Sequence, residues 1–341
     1  MIPNIRLNKP ATVCVCFAAF IIICIYFTTS KSYIRASYDY LASSHVGASH
    51  VSLQELLIAS IAAAERGGDE VRLVRQSNSL SEKSKGKTQE GANDPLTDGD
   101  LRSHKVMYHG LSHAFPGVHI ISEEHDSTVP DSVPDLRSVT PESVKAVTLD
   151  DVTVPRERVT VWIDPLDATQ EYTENLLQYV TTMVCVAVDG QPVIGIIHKP
   201  FMNHTAWAWV GHQVSSTLNA GSEVKREHPV IIVSRSHAGA VQTLARDVLG
   251  PSTEIVPAGG AGYKVLEVAS RNVDAYIHTT LIKKWDICAG HAVLNALGGR
   301  MTTLSGGALY YGKTDPAKAE GGILATLQGH DQYLKKFGEL K

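Results

Sequence analysis

The segment Val159-Thr160-Val161-Trp162-Ile163 runs directly into Asp164-Pro165-Leu166-Asp167-Ala168-Thr169, and this junction constrains the fold more than any other stretch. Five consecutive β-branched or aromatic residues predict a buried strand, and that strand ends in carboxylates. Pro165 fixes its own φ near about −65° and drives Asp164 towards extended backbone. Asp164, the Leu166 carbonyl and Asp167 can then converge as hard oxygen ligands for Mg²⁺, Mn²⁺ or Ca²⁺. A turn using Asp and Pro only for local hydrogen bonds is the competing reading, which the rest of the chain must decide.

Ala11 to Phe27 carries no charge, and Thr28, Thr29 and Ser30 extend the uncharged span to Lys31. At about 1.5 Å per residue, this crosses a hydrocarbon core of about 30 Å only with its polar flanks included. Residues 11–30 are therefore expected to form a short transmembrane signal anchor, with 1–10 as a cytoplasmic tail and 31–51 as a stalk. A cleaved signal peptide competes, but the span offers a poor small-residue cleavage site. Arg6 and Lys9 before it nearly balance Lys31 and Arg35 after it, so charge does not set the orientation. The sequon Asn203-His204-Thr205 can be glycosylated only if the large C-terminal part is lumenal.

With 341 residues, 43% of them hydrophobic, the chain can bury one large or two smaller cores. A formal net charge of −4 provides no basic field for a nucleic-acid backbone. Nothing basic is interleaved with Trp207 and Trp209 either, which read as core. Three of the five cysteines lie in the apolar N-terminal stretch, and Cys185 and Cys288 alone spell neither a disulfide framework nor a zinc site.

The folded part begins near Ser52, which with Glu55 forms a capping-box pattern ahead of Leu53, Leu56, Leu57 and Ile61. Gly67-Gly68 is expected to bend that helix, and Ser81 to Lys87 to be a solvated loop, with one of its lysines bordering an anion site as the alternative. Thr97 is a plausible N-cap with Asp100 at the third helical position, a structural use that would account for both. His109 and His113 sit four apart but lack the glutamate of a zinc helix, and read as surface residues. Val118 to Ile121 is a second strand ending in acids, Ser122-Glu123-Glu124. Asp126 to Arg158 reads as an insertion with one short helix around Glu142 to Val147. Asp189-Gly190 joins Val180 to Val188 and Pro192 to Ile197 as a hairpin, and Thr205 to Val210 supplies the next strand. From about Gly211, short strands and helices alternate. Val230 to Val233 leads into Ser234-Arg235-Ser236-His237, and Ala238 to Leu249 can be helical. Glu254 to Val256 leads into the glycine-rich turn Pro257 to Lys264. Such a turn can bring backbone N–H groups to a phosphate or merely pack closely. After the strand Ala275 to His278, Asp286 stands at the start of a helix running from Ile287 to Leu297, where it could be a simple cap.

NDPLTDGD, Glu123-Glu124, WIDPLDAT and KKWDICAG, in that order, resemble the signature of the inositol monophosphatase superfamily of metal-dependent, lithium-sensitive phosphomonoesterases, over nearly all of the chain from Ser52. Ala168, SRSH and GGAGYK resemble its 3′(2′),5′-bisphosphate nucleotidase branch. The resemblance implies an α/β fold, a layered αβαβα sandwich, with a metal-binding half over 52–210 and a substrate-binding half over 211–341. It implies that Glu123, Asp164, the Leu166 carbonyl, Asp167 and Asp286 hold roughly two or three Mg²⁺ ions. Asp100 and Thr169 match the pair that orients and deprotonates water. Ser234, His237, Gly260, Lys264 and Asp286 match nucleotide contacts, and Asp94 stands behind the ligands. Glu124 matches the second acid of the family's GEE, whose glycine is Ser122 here.

The implied reaction converts adenosine 3′,5′-bisphosphate to AMP and phosphate. The implied setting is the Golgi membrane, single-pass with a lumenal catalytic domain, clearing the by-product of sulfotransferases; a homodimer is common in the family. An inositol monophosphate or sugar bisphosphate phosphatase shares the metal core. A membrane-tethered scaffold without catalysis is the alternative of another class, and the intact carboxylates argue against it.

Overall fold

Amphipathic periodicity is realised first in helix α1 (Leu53–Gln76), where Ser52 Oγ accepts the Glu55 N–H at 3.0 Å and Leu56, Leu57 and Ile61 are fully buried. The computed structural model describes residues 49–341 apart from 88–90, 92, 131, 146, 150, 219–223, 237–239 and 339–341. The expected tail, anchor and nearly all of the stalk lie outside the described residues, as does His237. Among the described residues no helix is long and apolar enough to cross a membrane. Contacts divide the chain after His50, and Val51–Lys341 forms a single unit.

Gly67-Gly68 lies inside α1, which runs through it unbroken. A Cβ at Gly67 would come within 2.4 Å of Met107 Sδ, and one at Gly68 within 2.6 Å of His198 Cδ2, so both glycines serve close packing on neighbouring elements. The expected loop at Ser81 to Lys87 is instead mostly strand. Strand β1 (Lys83–Lys87) pairs antiparallel with β2 (Asn93–Leu96), and its lysines alternate with small residues at the strand period. Helix α2 (Asp98–Ala114) follows. On it His113 is exposed and His109 is half-buried, edge-on against Tyr108 at 5.3 Å.

Strands β3 (His119–Ser122), β4 (Val159–Asp167), β5 (Thr181–Val188), β6 (Gln191–Lys199) and β7 (His204–Trp209) form one sheet in sequential order. Only β3 and β4 pair in parallel. The turn between β5 and β6 uses positive φ at both Asp189 (51°) and Gly190 (76°), the backbone that a tight hairpin requires. Of the expected helix at Glu142 to Val147, only Glu142–Val144 is helical, as one 3-10 turn. Short helix α3 (Thr169–Thr173) leaves the end of β4.

The remaining elements are β8 (Val230–Ser234), α4 (Val241–Leu249), β9 (Glu254–Ala258), α5 (Ala261–Ala269), β10 (Ala275–His278), β11 (Ile282–Lys283) and α6 (Lys284–Ala296). They are followed by β12 (Arg300–Thr302), β13 (Lys318–Ala319), β14 (Ile323–Thr326) and α7 (His330–Gly338). The second sheet has the order β9-β8-β10-β14-β12.

Period-two burial then stacks the layers. Val159, Val161 and Ile163 pack under α1 and α2, whereas Trp162 faces α5 and α6. The same central cluster includes Ile232, Tyr276 and Ala325 of the second sheet, whose other face carries α4 and α7. The result is the αβαβα layering, with both sheets buried on both faces. Cys185 of β5 and Cys288 of α6 form a disulfide between residues 103 positions apart, with Cα atoms at 5.7 Å. It fastens α6 to the first sheet two residues after Asp286.

Candidate active site

Parallel register sets Ser122 of β3 opposite Ile163 of β4, so Glu123 and Asp164 leave the sheet side by side at strand C-terminal ends. The Glu123 N–H donates to the Ile163 carbonyl at 3.1 Å. Against β5, Asp164 pairs with Met183 but Asp167 with Thr181, three steps on one strand against two on the other. This bulge turns the Asp-Pro-Leu-Asp segment out of the ladder. Ser103 Oγ clamps the Pro165 carbonyl at 2.7 Å, and the Leu166 N–H donates to Asp164 Oδ1 at 3.2 Å.

The third acid comes from the other side of the sheet. Asp286, in the first turn of α6, accepts the Lys283 N–H at 2.9 Å, and its helix start delivers the carboxylate to the strand ends. Single ligand oxygens from Glu123, Asp164 and Asp286 lie within 4.8 Å of one another, a cluster of hard donors that fits a divalent cation such as Mg²⁺. Asp167 adjoins it, with its Oδ2 accepting the Gly262 N–H at 2.8 Å and the Thr181 hydroxyl at 3.2 Å.

Asp100 combines a cap with a second contact. One of its oxygens accepts the Thr97 N–H at 2.7 Å and the Thr97 hydroxyl at 2.6 Å, while the other receives the Thr169 hydroxyl at 2.9 Å. Thr169 Oγ1 also lies 3.1 Å from the Leu166 carbonyl. The turn that aims Thr169 holds Ala168 at φ 71°, a left-handed conformation costing about 1–2 kcal/mol for a residue with a side chain. Gly260 faces this turn at φ 65°, where a Cβ would lie 2.7 Å from the Tyr179 carbonyl and 3.0 Å from Asp167 Oδ2.

Glu123, Asp164, Leu166, Asp167, Thr169, Ser234, Gly260, Lys264 and Asp286 line one cavity of about 410 Å³. Asp100 is buried beside Thr169, and Asn203 is exposed just before β7. Lys264 is 3% exposed, and its ammonium donates to the Gly260 carbonyl at 2.5 Å and the Ala258 carbonyl at 3.4 Å. Burial lowers its pKa to about 8 despite Asp167, Glu171 and Asp286. Ser122, where the family's motif has glycine, places its hydroxyl 2.9 Å from His104 Nδ1.

Lys85 is the residue that sequence reasoning missed. Its ammonium lies 2.8 Å from both Glu123 Oε1 and Glu124 Oε1 and 3.8 Å from Asp94 Oδ1. Burial opposes its charge, but the two glutamates outweigh burial and hold its pKa above the usual lysine value. The alternating lysines of KSKGK were the available sign that this segment is a strand, which is exposed along its length and reaches the acids through Lys85.

Burial, reinforced by neighbouring negative charge, raises Glu123 to about 8 and Asp286 to about 7, and holds Asp164 well above the normal carboxylate range. In the unfolded chain the first two would ionise near 4.5 and 3.8. The native state thus keeps protons that the unfolded state has lost. This stabilising contribution is complete below the unfolded values and disappears as pH rises through about 7 to 8. The melting temperature in chelator is therefore expected to fall between about pH 5 and 8, and the increment from added Mg²⁺ to be larger at pH 8. Scanning fluorimetry with and without Mg²⁺ checks this, and an increment that shrinks with pH would contradict it.

The inositol monophosphatase family model matches residues 52–339. The Golgi-resident adenosine 3′,5′-bisphosphate 3′-phosphatase of Rattus norvegicus is 52% identical over 298 residues, covering 85% of this chain and 83% of its own length. Inositol monophosphatase 3 of Danio rerio is 50% identical over 292 residues, 84% of each chain. Among solved structures, the extragenic suppressor protein suhB from Bartonella henselae shares the fold with a TM-score of 0.61 at 17% identity, across 82% of this chain and 96% of that one.

Proposed function

The chain belongs to the inositol monophosphatase family, and from that premise we propose that it removes the 3′-phosphate of adenosine 3′,5′-bisphosphate to give AMP and phosphate. The observation that carries the reading is the Thr169 hydroxyl bonded to buried Asp100 beside a convergent carboxylate cluster, in a chain 52% identical to the rat enzyme of that name.

Glu123, Asp164, the Leu166 carbonyl, Asp167 and Asp286 would hold the metal, a set sized for roughly two or three Mg²⁺ ions. When bound, Mg²⁺ supplies charge neutralisation for the phosphate and acidity for a nearby water. Thr169 donates its own hydrogen to Asp100, which leaves its oxygen lone pairs to accept a hydrogen bond from the attacking water. As water attacks, its proton passes to Thr169 and that of Thr169 passes to Asp100 Oδ1. Burial raises Asp100 to about 6, against the hydrogen bonds from Thr97, which suits it to receive a proton near neutrality. Ser234, His237 and the Gly260 turn are read as nucleotide contacts, with Lys264 behind that turn.

Full-length protein offered adenosine 3′,5′-bisphosphate, inositol 1-phosphate and fructose 1,6-bisphosphate is expected to show its highest kcat/KM with the first. A higher value for either of the others would overturn this substrate assignment.

The same reading puts the catalytic part in the Golgi lumen, behind an anchor at 11–30, where it would clear the nucleotide left by sulfotransferases. Two features support a lumenal setting. The Cys185–Cys288 disulfide suits an oxidising compartment, and Asn203 of the sequon is exposed. Protein from secretory-pathway membranes is expected to gain electrophoretic mobility after glycosidase treatment, and the Asn203→Gln variant to show no such gain. An unchanged wild-type band, together with free thiols at Cys185 and Cys288, would contradict the lumenal assignment.

A further inference from the structure

The cavity holds more positive charge than the mechanism has used. Lys264 is committed to two backbone carbonyls, and Lys284, the residue after Lys283 and not part of the cavity lining, is paired with Asp315 at 3.9 Å. Besides Lys87, Lys283 and Lys318 also line the cavity. They are directly opposite each other in the antiparallel pairing of β11 with β13. Directly opposed residues of an antiparallel pair project from the same face with Cβ atoms about 5 Å apart, and like charges in that relation repel. Neither lysine makes an ion pair of 4 Å or less among the described residues. Lys283 Nζ sits 5.1 Å from the centre of the Trp285 ring, and the Asp286 carboxylate that feels its charge belongs to the acidic cluster. A rung of two ammonium groups facing a cavity is a poor structural device and a good receptor for a dianion.

We propose that the Lys283–Lys318 rung binds the second, non-reacting phosphate of the substrate and so selects bisphosphates over monophosphates. This rests on the phosphatase reading above. One phosphate placed at the Glu123, Asp164 and Asp286 cluster has the rung beside it, because Lys283 immediately precedes the helix that carries Asp286. The second phosphate removes the repulsion between the lysines, whereas a monophosphate leaves it in place.

The test compares kcat/KM for adenosine 3′,5′-bisphosphate and 3′-AMP in the full-length wild type and in K318Q, K283Q, K318R and K313Q, the last at an exposed lysine outside the cavity lining. The bisphosphate-to-monophosphate ratio is expected to fall by about tenfold in each of K318Q and K283Q, chiefly through KM, and to be retained in K318R and K313Q. The melting temperature of K318Q is expected to hold or rise, since a repulsion is removed. A wild-type ratio retained in both glutamine variants would overturn the rung as a selector while leaving the phosphatase reading intact. Wild-type protein that releases phosphate from neither nucleotide would overturn both.

Discussion

Asp164→Asn is expected to lower kcat/KM for adenosine 3′,5′-bisphosphate by about 10³-fold or more while raising the melting temperature of the metal-free protein. The two effects share one cause. Asp164 is 1% exposed, and its carboxyl is held well above its normal range first by burial and then by Glu123, Asp167 and Asp286. Asparagine has nearly the same shape and keeps an oxygen for the Leu166 N–H, now accepted at 3.2 Å, so the turn survives. A group that on folding must either take up a proton or bury its charge among like charges is gone, which favours the fold. A cation held with Glu123 and Asp286 would lose one of its carboxylate ligands and bind more weakly, leaving the charge of the phosphate less well offset. A variant with lower melting temperature and unchanged activity would make Asp164 a structural residue and empty the proposed metal role.

Asp100→Asn is the second large effect. Turnover is expected to fall by about 10²- to 10³-fold, with KM for nucleotide and the Mg²⁺ requirement little changed. The amide oxygen can still accept from Thr97, now bonded at 2.7 Å through its N–H and 2.6 Å through its hydroxyl, so the start of α2 is preserved. The amide nitrogen that then faces Thr169 has no lone pair to take its proton. Thr169→Val should cost a similar factor, and the double variant should be little worse than either alone, because the two act as one relay. In the wild type, kcat/KM should rise with pH through a limb near 6 as Asp100 ionises, and Asp100→Asn should lose that limb. Activity within about tenfold of wild type would eliminate the relay.

These residues differ in how readily their use could be read from sequence. Asp164 and Asp167 were legible because a strand of β-branched residues and a proline-fixed turn are local physics. The bulge that separates them was not, since it depends on pairing with Met183 and Thr181. Asp100 and Asp286 each stand third in a helix and cap its start, so pattern alone could not distinguish a cap from a site residue; in the structure each caps its helix while Asp100 also accepts the Thr169 hydroxyl and Asp286 also joins the carboxylate cluster. The resemblance, rather than periodicity, singled them out.

Other features depend on long-range contact. KSKGK contains no apolar residue and looked solvated. Pairing with Asn93–Leu96 makes it a strand and brings Lys85 to the acids. Cys185 and Cys288 meet across 103 residues, and Lys283 meets Lys318 through two-residue strands too short to show a period. Strands Arg300–Thr302 and Ile323–Thr326 were not read from the sequence either. The use of Gly67-Gly68 was not legible because a helix tolerates glycine where a neighbour needs the space, here Met107 and His198.

Release of inorganic phosphate from adenosine 3′,5′-bisphosphate by full-length protein, first in chelator and then with Mg²⁺ added stepwise, addresses the carboxylate cage most directly. Release is expected to be at the blank level in chelator and to climb to a plateau as Mg²⁺ fills the site at Glu123, Asp164 and Asp286. Equal rates in chelator and in saturating Mg²⁺ would contradict it.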